Sequence, residues 1–271
     1  MFDPIEISGI GVHSGAPASV TLLPGEPGSG VVFEIGDVSI PARFEYTVEN
    51  AQRRTILQRD GFSIETVEHL LAAAAALRVS DLRAVVSGPE LPILDGSAAP
   101  WLSAFPRPLR RRGIPLHPIS ASEQLPIKVQ VGDATAEIIP VQHESDAYIE
   151  VALDLSAIGC PVMRHRFYPA SDPIEAIAAA RTFAFEHDVE ALKAAGLAAG
   201  GSLENAVVLT PNGVLNPEGL RFVNEPARHK ILDAVGDLFL LGALPLACVR
   251  LARPGHRLNL EIVRRIEALL G

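Results

Sequence analysis

Cysteine is scarce in this sequence, which has two, Cys160 and Cys248, among 271 residues. Two thiols so far apart along the chain exclude both a disulfide framework and a cysteine-rich metal cluster, and they fit a reducing compartment. The N-terminus has no basic region followed by an apolar core, so it does not resemble a signal peptide. We therefore expect a cytoplasmic protein.

Long hydrophobic runs and an excess of positive charge are also missing. The longest apolar runs, residues 70–77 and 238–249, are shorter than the roughly 20 residues with which a helix crosses a bilayer. The net charge of −9 argues against a general nucleic-acid binder, which needs a basic surface. We expect a monomer with neither a transmembrane segment nor a nucleic-acid partner.

The composition is that of a folded protein, with 48% hydrophobic and 20% charged residues. Alternating polarity and turn residues predict strands, and apolar periodicity with helix-forming residues predicts helices, the first of them with Thr66 as its N-cap. The predicted strands are residues 5–10, 18–23, 31–35, 38–44, 82–87, 127–131, 135–139, 147–154, 206–210 and 247–251. The predicted helices are residues 66–77, 173–180, 189–195, 227–238 and 259–270. Each half is thus a sheet with a long helix, which is typical of an α+β two-layer sandwich.

A segment rich in proline and arginine separates the two halves. Four prolines and four arginines, three of the arginines consecutive, fall within residues 105–118. Such a composition favours an extended linker over a packed element. We predict an N-terminal α+β domain at residues 1–106, a linker at 107–122 and a C-terminal α+β domain at 123–271.

The most informative stretch lies in the predicted helix at residues 227–238. His229, Asp233 and Asp237 recur every four residues, so a helix places them along one stripe. An imidazole and a carboxylate one turn apart can bind the same divalent cation, and nitrogen with oxygen donors suits zinc. The same spacing is common on solvated helix faces, so a metal site needs a third ligand.

His69 is the candidate third ligand, and Glu68 precedes it at the start of the helix in the first half. A carboxylate beside a metal-activated water is the arrangement that a general base requires. The alternatives are a first-turn acid favoured by the helix dipole for Glu68 and an interior histidine for His69.

Two further residues outside this set could assist catalysis. His256, which follows Gly255, could act as a cationic acid, and Asp237 is placed to keep it protonated. Thr182 offers a hydroxyl to an oxyanion, and its alternative role is at a helix terminus.

Several motifs occur in the order found in one enzyme family. They are Thr66-Val-Glu-His-Leu70, Pro89-Glu-Leu-Pro-Ile-Leu-Asp-Gly-Ser-Ala98, Ala180-Arg-Thr-Phe183, Gly200-Gly-Ser202, Val214-Leu-Asn216, Arg228-His-Lys-Ile-Leu-Asp-Ala-Val-Gly-Asp237 and Gly255-His-Arg-Leu-Asn259. Across essentially its whole length the sequence resembles the UDP-3-O-acyl-N-acetylglucosamine deacetylases, zinc-dependent amidohydrolases at the committed step of lipid A synthesis. The resemblance implies two similar two-layer α/β sandwich domains packed against each other, with the active site between them.

The resemblance also assigns roles within the site. It implies that His69, His229 and Asp233 bind Zn²⁺ and that Glu68 is the general base; the same donors also suit Fe²⁺, which is the alternative metal. Five further roles follow from the resemblance. His256 is the acid or electrostatic partner, Asp237 sets its charge, and Thr182 polarises the acetamide carbonyl. Lys230 contacts the diphosphate or sugar, and Asp188 lies at another substrate-contact position.

Hydrophobic contacts to the substrate follow from the same resemblance. Phe183 and Phe185 are expected at the UDP-linked sugar, with Phe185 stacking on the uracil. A βαβ insert at about residues 183–208 is expected to form a hydrophobic passage for the acyl chain. Its expected lining residues are Val189, Ala198, Leu203, Ala206 and Val208.

Two departures from the family pattern keep alternatives open. Leu155 stands where a second aromatic residue often stacks on the uracil, and the His-Pro pair that usually follows is absent. A divergent metal-dependent deacetylase of another N-acyl sugar is therefore an alternative. A non-catalytic binder of nucleotide sugar or lipid is disfavoured, because the expected metal ligands, general base and acid are all present.

Overall fold

The computed structural model describes residues 2–106, 114–119 and 126–270, which form seventeen strands and six α-helices. The strands are β1 (Ile5–Ile10), β2 (Pro17–Pro24), β3 (Val31–Ile35), β4 (Val38–Pro41), β5 (Ile56–Arg59), β6 (Phe62–Glu65), β7 (Leu82–Ser87), β8 (Leu116–His117), β9 (Ile127–Val131), β10 (Ala134–Pro140), β11 (Tyr148–Leu153), β12 (Met163–Phe167), β13 (Phe183–Phe185), β14 (Val207–Thr210), β15 (Gly213–Val214), β16 (Leu244–Pro245) and β17 (Ala247–Ala252). The helices are α1 (Glu68–Leu77), α2 (Ala99–Ala104), α3 (Glu175–Ala178), α4 (Val189–Ala194), α5 (Glu225–Leu238) and α6 (His256–Leu270). Among the described residues, none of the helices combines the length and hydropathy needed to cross a membrane.

The first half is built on a five-stranded sheet in the order β1-β2-β7-β3-β4. β7 runs parallel to β3, and the other neighbouring strands are antiparallel. Alternation along β2 buries Ala18, Val20 and Leu22 while the residues between them stay partly exposed. This is the pattern of a strand with one face on a core, and the buried face shares that core with α1.

The second half repeats the first in topology. Its sheet has the order β9-β10-β17-β11-β12, with β17 parallel to β11 and the other neighbours antiparallel. Strand by strand, both the order and the directions match those of the first sheet. The predicted α+β architecture of two similar halves is therefore confirmed. The domain boundaries remain predictions, since most of residues 107–122 lies outside the described residues.

Helices α1 and α5 join the two halves. All ten residues of α1 are buried, and α1 packs against α5, which in turn packs on β11 and β12. Close contact is allowed by the small side chains of residues 72–76 and by Gly236 of α5. A Cβ atom on Gly236 would lie 2.1 Å from the carbonyl oxygen of Glu68, so only glycine fits this crossing.

The region expected to hold the βαβ insert contains a strand–helix–strand unit. β13 pairs in parallel with β14, with α4 between them in the chain. β15 then extends this small sheet on the other side of β14. The unit directly precedes α5, so it lies in sequence between two parts of the predicted active site.

Four local predictions are wrong. Thr66 does not cap α1, because its hydroxyl bonds Glu90 instead and the helix begins at Glu68. The strand predicted at residues 38–44 ends at Pro41, where the chain turns into a 3-10 segment. The helix predicted at residues 173–180 is limited to α3, and the carbonyl of Ala178, the last residue of α3, accepts the N–H of Ala98. His256 begins the last helix instead of preceding it.

Candidate active site

The three predicted metal ligands meet where α1 crosses α5. His69 lies in the first turn of α1, and His229 and Asp233 lie one turn apart on α5. Oδ1 of Asp233 is 3.2 Å from Nε2 of His229 and 3.8 Å from Nε2 of His69. One donor atom from each of the three residues lies within 4.8 Å of the others, and each residue is buried. Buried donors that converge in this way can bind a single cation.

Both imidazoles are neutral and suited to bind a metal. Burial lowers the pKa of His69 to about 3 and also lowers the pKa of His229. Nδ1 of His229 donates to the carbonyl oxygen of Ala180 at 3.0 Å. A carbonyl oxygen only accepts, so the proton is assigned to Nδ1 and the lone pair of Nε2 is available to a metal.

Asp233 provides the clearest indication that a metal fits the site. Its Oδ2 accepts a hydrogen bond from Nζ of Lys230 at 2.8 Å, whereas its buried Oδ1 has no hydrogen-bond partner among the described residues. Burial opposes ionisation, but the charge of Lys230 favours it, and the pKa of Asp233 lies below its usual range. A buried, unpaired carboxylate oxygen is costly. A cation bound by Asp233 and the two neutral imidazoles would satisfy it.

Glu68 lies beside the candidate metal ligands and is 3% exposed. Its Oε2 accepts the N–H of Thr55 at 3.1 Å, and its Oε1 is 3.7 Å from Nε2 of His256. Burial raises the pKa of Glu68 to about 7, against the opposing effect of the His256 charge. A carboxyl group with this pKa can take up and release a proton near neutral pH.

His256 is held as an imidazolium by a buried carboxylate. Its Nδ1 donates to Oδ2 of Asp237 at 2.8 Å. The fully buried Asp237 also accepts hydrogen bonds from the hydroxyl of Thr55 at 2.5 Å and the amide of Asn259 at 2.8 Å. Burial works against the charge on His256, but Asp237 and Glu68 raise its pKa to about 9. His256 therefore carries a proton at neutral pH.

One cavity of about 590 Å³ connects these groups, and it is lined by residues of both halves. Besides Glu68, His256 and the candidate metal ligands, it is lined by six other predicted site residues: Thr182, Phe183, Phe185, Lys230, Ala198 and Ala206. Nζ of Lys230 lies 5.3 Å from the centre of the Phe183 ring. The cavity thus presents a cation and aromatic rings beside the candidate metal site.

Some predicted substrate-binding residues lie outside the cavity lining. The described residues that line the cavity do not include four of them: Asp188, Val189, Leu203 and Val208. Asp188 instead forms an ion pair of 2.8 Å with Arg53, which does line the cavity. Of the predicted acyl-chain residues, only Ala198 and Ala206 border this cavity. Leu155 is 2% exposed and belongs to the hydrophobic core.

His13 also lines the cavity, although the sequence motifs did not indicate it as a site residue. It lies in the glycine-rich turn of residues 11–15 that follows β1, and its Nδ1 accepts the N–H of Ala198 at 3.4 Å. Burial lowers its pKa to about 4, so its imidazole is neutral. A histidine in a glycine-rich turn is a sequence signal that could have indicated this position. Thr55 and Asn259, which hold Asp237, follow no such local pattern.

Comparison with known proteins gives an independent result. The sequence matches the UDP-3-O-acyl N-acetylglycosamine deacetylase family over residues 1–268. A protein of Syntrophotalea carbinolica is 41% identical, and the alignment covers 98% of this chain and 86% of that protein. Proteins of Myxococcus xanthus and Nostoc sp. are 40% and 38% identical, with 96% and 98% of this chain and 83% and 97% of their own lengths covered. All three relatives are named UDP-3-O-acyl-N-acetylglucosamine deacetylase.

The similarity covers both halves of the fold and is not confined to the metal-ligand motifs. The family match begins before β1 and ends inside α6, so it includes every element that contributes to the cavity. The family resemblance predicted from the sequence motifs is confirmed. The chain belongs to the UDP-3-O-acyl N-acetylglycosamine deacetylase family.

Proposed function

We propose that this protein hydrolyses the acetamide of UDP-3-O-acyl-N-acetylglucosamine to acetate and the free amine, the committed step of lipid A biosynthesis. The observation that carries the proposal is the convergence of the three candidate metal ligands with Glu68 and His256 in one cavity. This geometry supports amide hydrolysis in general, and the names of the relatives supply the substrate.

The metal in this proposal is zinc. The family is metal-dependent, and His69, His229 and Asp233 form a group that could hold a metal ion. Two imidazoles and a carboxylate form a common ligand set of catalytic zinc, with a fourth position left open. Fe²⁺ is the second candidate because the same donors suit it. Bound there, the ion would supply Lewis-acid chemistry that polarises the amide carbonyl and acidifies water.

Glu68 acts as the general base in the proposed reaction. It takes a proton from the attacking water while the water oxygen forms a bond to the carbonyl carbon. Its pKa of about 7 leaves a substantial fraction of the carboxylate ionised and basic at neutral pH. The N–H of Thr55 fixes Oε2, which limits rotation of the carboxylate within the cavity.

His256 completes the proton transfer. As the bond between carbon and nitrogen breaks, Nε2 of His256 donates its proton to the departing amine, and Asp237 stabilises the imidazolium beforehand. The proton that Glu68 took from water can then pass to Nε2 of His256, 3.7 Å away, which restores both groups. Thr182 lines the same cavity, where its hydroxyl would help to polarise the acetamide carbonyl.

The remaining lining residues suggest how the substrate is held. Lys230 would contact the diphosphate or sugar, and Phe185 would stack on the uracil with Phe183 beside it. Asp188 would act from the cavity mouth through its contact with Arg53. We propose the insert as the acyl passage, with Ala198 and Ala206 at its inner end and Val189, Leu203 and Val208 farther along. We also propose that the protein is cytoplasmic, which fits its low cysteine content, and that it is a monomer.

Replacing Asp237 by asparagine is expected to move the alkaline limb of the pH–rate profile to lower pH. Activity requires ionised Glu68 and protonated His256, so the rate rises through the pKa of Glu68 and falls through that of His256. A bound cation would lower both values. Asparagine removes the charge that favours the imidazolium, so His256 loses its proton earlier.

The measurement for Asp237→Asn is kcat/KM as a function of pH. We expect the alkaline limb to shift by about one unit or more, because a neighbouring opposite charge typically changes a pKa by that amount. The acid limb should move less and in the same direction, since Asp237 also raises the pKa of Glu68 but by less than burial does. An alkaline limb at the wild-type position would exclude His256 as the group that must stay protonated.

The proposed function is tested by assaying purified protein on UDP-3-O-acyl-N-acetylglucosamine and on N-acetyl sugars that lack UDP or the acyl chain. We expect turnover that requires both, is lost on chelation and returns with Zn²⁺. Comparable turnover of sugars without UDP would favour the divergent deacetylase, an outcome motivated by the buried position of Leu155. Turnover that survives complete metal removal would contradict the proposed metal dependence.

A further inference from the structure

Thr66 has an unusual backbone conformation two residues before the proposed general base. Its φ is +59°, in the left-handed region. A β-branched residue rarely adopts this conformation, because its side chain crowds the backbone. Strained residues of this kind persist only where the surroundings hold them, and they are concentrated at functional sites.

Hydrogen bonds on both sides hold Thr66 in place. Its N–H donates to the carbonyl of Thr55 at 2.9 Å, and its hydroxyl donates to Oε1 of Glu90 at 2.9 Å. The preceding residue, Glu65, exchanges backbone hydrogen bonds with Pro89 and Leu91. The chain therefore enters α1 from a segment that is bonded on one side to residues 89–91.

Glu90 connects this segment to the turn that carries His13, another residue of the cavity lining. It is 1% exposed and accepts hydrogen bonds from the N–H of His13 at 2.9 Å, and from the N–H and hydroxyl of Ser14 at 2.7 and 2.6 Å. Burial opposes its charge, but these donors hold the pKa of Glu90 below its usual value. A Cβ atom on Gly11 would lie 2.1 Å from Oε2, so the turn closes tightly around the carboxylate.

We propose that Glu90 is a positioning residue that acts through Thr66 to set the orientation of the first turn of α1. Glu68 and His69 follow Thr66 by two and three residues, so rotation at Thr66 moves the proposed base and one candidate metal ligand together. Its other hydrogen bonds tie Glu90 to the turn that carries His13. The expected effect on kcat rests on the proposed function, whereas the expected effect on metal affinity does not.

The deciding variant is Thr66→Val, which keeps the branched shape but removes the hydroxyl that bonds Glu90. We expect metal affinity and kcat each to fall by about 10- to 100-fold, the usual effect of removing a group that orients a metal ligand. KM should change by less than about threefold, since the cavity wall is intact. Thr66→Ser keeps the hydroxyl and should restore both quantities to within about threefold of wild type.

Two further variants make the test decisive. Glycine adopts a positive φ without strain, so Thr66→Gly replaces Thr66→Val in the test if the valine variant does not fold. It also lacks the hydroxyl, so its metal affinity should fall as expected for Thr66→Val. Thr47→Val is the matched control: it removes a hydroxyl that bonds the carbonyl of Phe44 at 2.7 Å, outside the cavity lining, and it should leave metal affinity and kcat unchanged.

The measurements are Zn²⁺ affinity by competition with a chelator, the kinetic constants, and Tm with and without metal. A purely structural contact would lower Tm equally in both states and leave metal affinity and kcat at wild-type values, which would overturn the proposal. Equal impairment of Thr66→Ser and Thr66→Val would also overturn it. Failure of the proposed function would appear differently, as an inactive wild-type protein whose metal affinity still responds to Thr66→Val.

Discussion

Replacing Glu68 by glutamine is expected to lower kcat by about 10²- to 10⁴-fold, the usual contribution of a positioned general base. Glutamine has nearly the same shape, and its amide oxygen can still accept the N–H of Thr55 that now bonds Oε2. What it cannot do is take a proton from water. The metal ligands are unchanged, so metal affinity should stay within a few-fold of wild type.

The same substitution is expected to raise the stability of the metal-free protein, although it lowers kcat. Burial raises the pKa of Glu68 from 4.5 to about 7, so the metal-free folded state binds a proton that the unfolded state releases between these values. Stability from this group is present below pH 4.5 and is lost as pH rises towards 7. Glutamine removes that loss, which amounts to about 3 kcal/mol for a shift of this size. Metal-free Glu68→Gln should therefore melt above wild type at pH 8.

Single-turnover kinetics and thermal melting of the metal-free protein are the two measurements. Glu190→Gln is the matched control, because Glu190 is exposed on α4 and the substitution makes the same chemical change away from the site. It should alter neither quantity. A Glu68→Gln protein that turned over at the wild-type rate would show that another group accepts the proton.

The candidate ligand set could be predicted because local patterns carry it. His229 and Asp233 are one helical turn apart, and Glu68 and His69 begin a stretch with strong helical propensity, so short-range geometry already fixes each pair. His69, next to Glu68, was a candidate third ligand, but only the family resemblance assigned it to the set, since no local rule relates residues 160 positions apart. The structure adds the physical reason, which is the close crossing of α1 and α5.

The groups that support the ligands could not be predicted in the same way. The hydroxyl of Thr55 bonds Asp237 across 182 positions of sequence, and Glu90 reaches back across 77 positions to His13. Thr55 lies in a segment without a strong pattern, and Glu90, although it belongs to one of the family motifs, has no local feature that shows which groups it bonds. Their roles arise from burial, because a buried carboxylate must find donors wherever the tertiary fold supplies them.

Some elements of the fold were missed for local reasons. The hairpin of β5 and β6 carries the turn signal Asp60-Gly61, which favours a two-residue hairpin loop and could have revealed it. β12 was not predicted because histidine and arginine alternate along it, and it forms the edge of its sheet. Edge strands often carry charged side chains that discourage pairing with other molecules, so their sequences lack the apolar signal.

Replacing Gly236 by alanine is expected to be the most damaging substitution outside the reacting groups. In a helix interior, alanine is normally better than glycine by about 1 kcal/mol. Here its Cβ would lie 2.1 Å from the carbonyl oxygen of Glu68, a backbone atom that cannot move aside alone. Overpacking of this kind typically costs about 1–3 kcal/mol, so the clash outweighs the gain in helix propensity. The helices must separate, and the protein loses stability.

Separation of the helices has a specific consequence for the site. α1 carries Glu68 and His69, while α5 carries His229 and Asp233. A shift between the helices therefore changes every distance between the two pairs and none within a pair. Because a displacement of about 1 Å can lower a rate about 10²-fold, we expect kcat to fall by at least that factor. Metal affinity should fall as well, since His69 moves away from its two partner ligands.

Gly25→Ala is the matched control for Gly236→Ala. A Cβ atom on Gly25 would lie 2.8 Å from the backbone carbon of Asp81, a milder backbone clash away from the cavity lining. Both variants should lower Tm, but only Gly236→Ala should lose metal affinity and kcat in the fraction that remains folded. If both lost metal in proportion to Tm, the site would depend on global stability alone. Selective loss at Gly236 would identify the crossing of α1 and α5 as the feature that assembles the two halves of the active site.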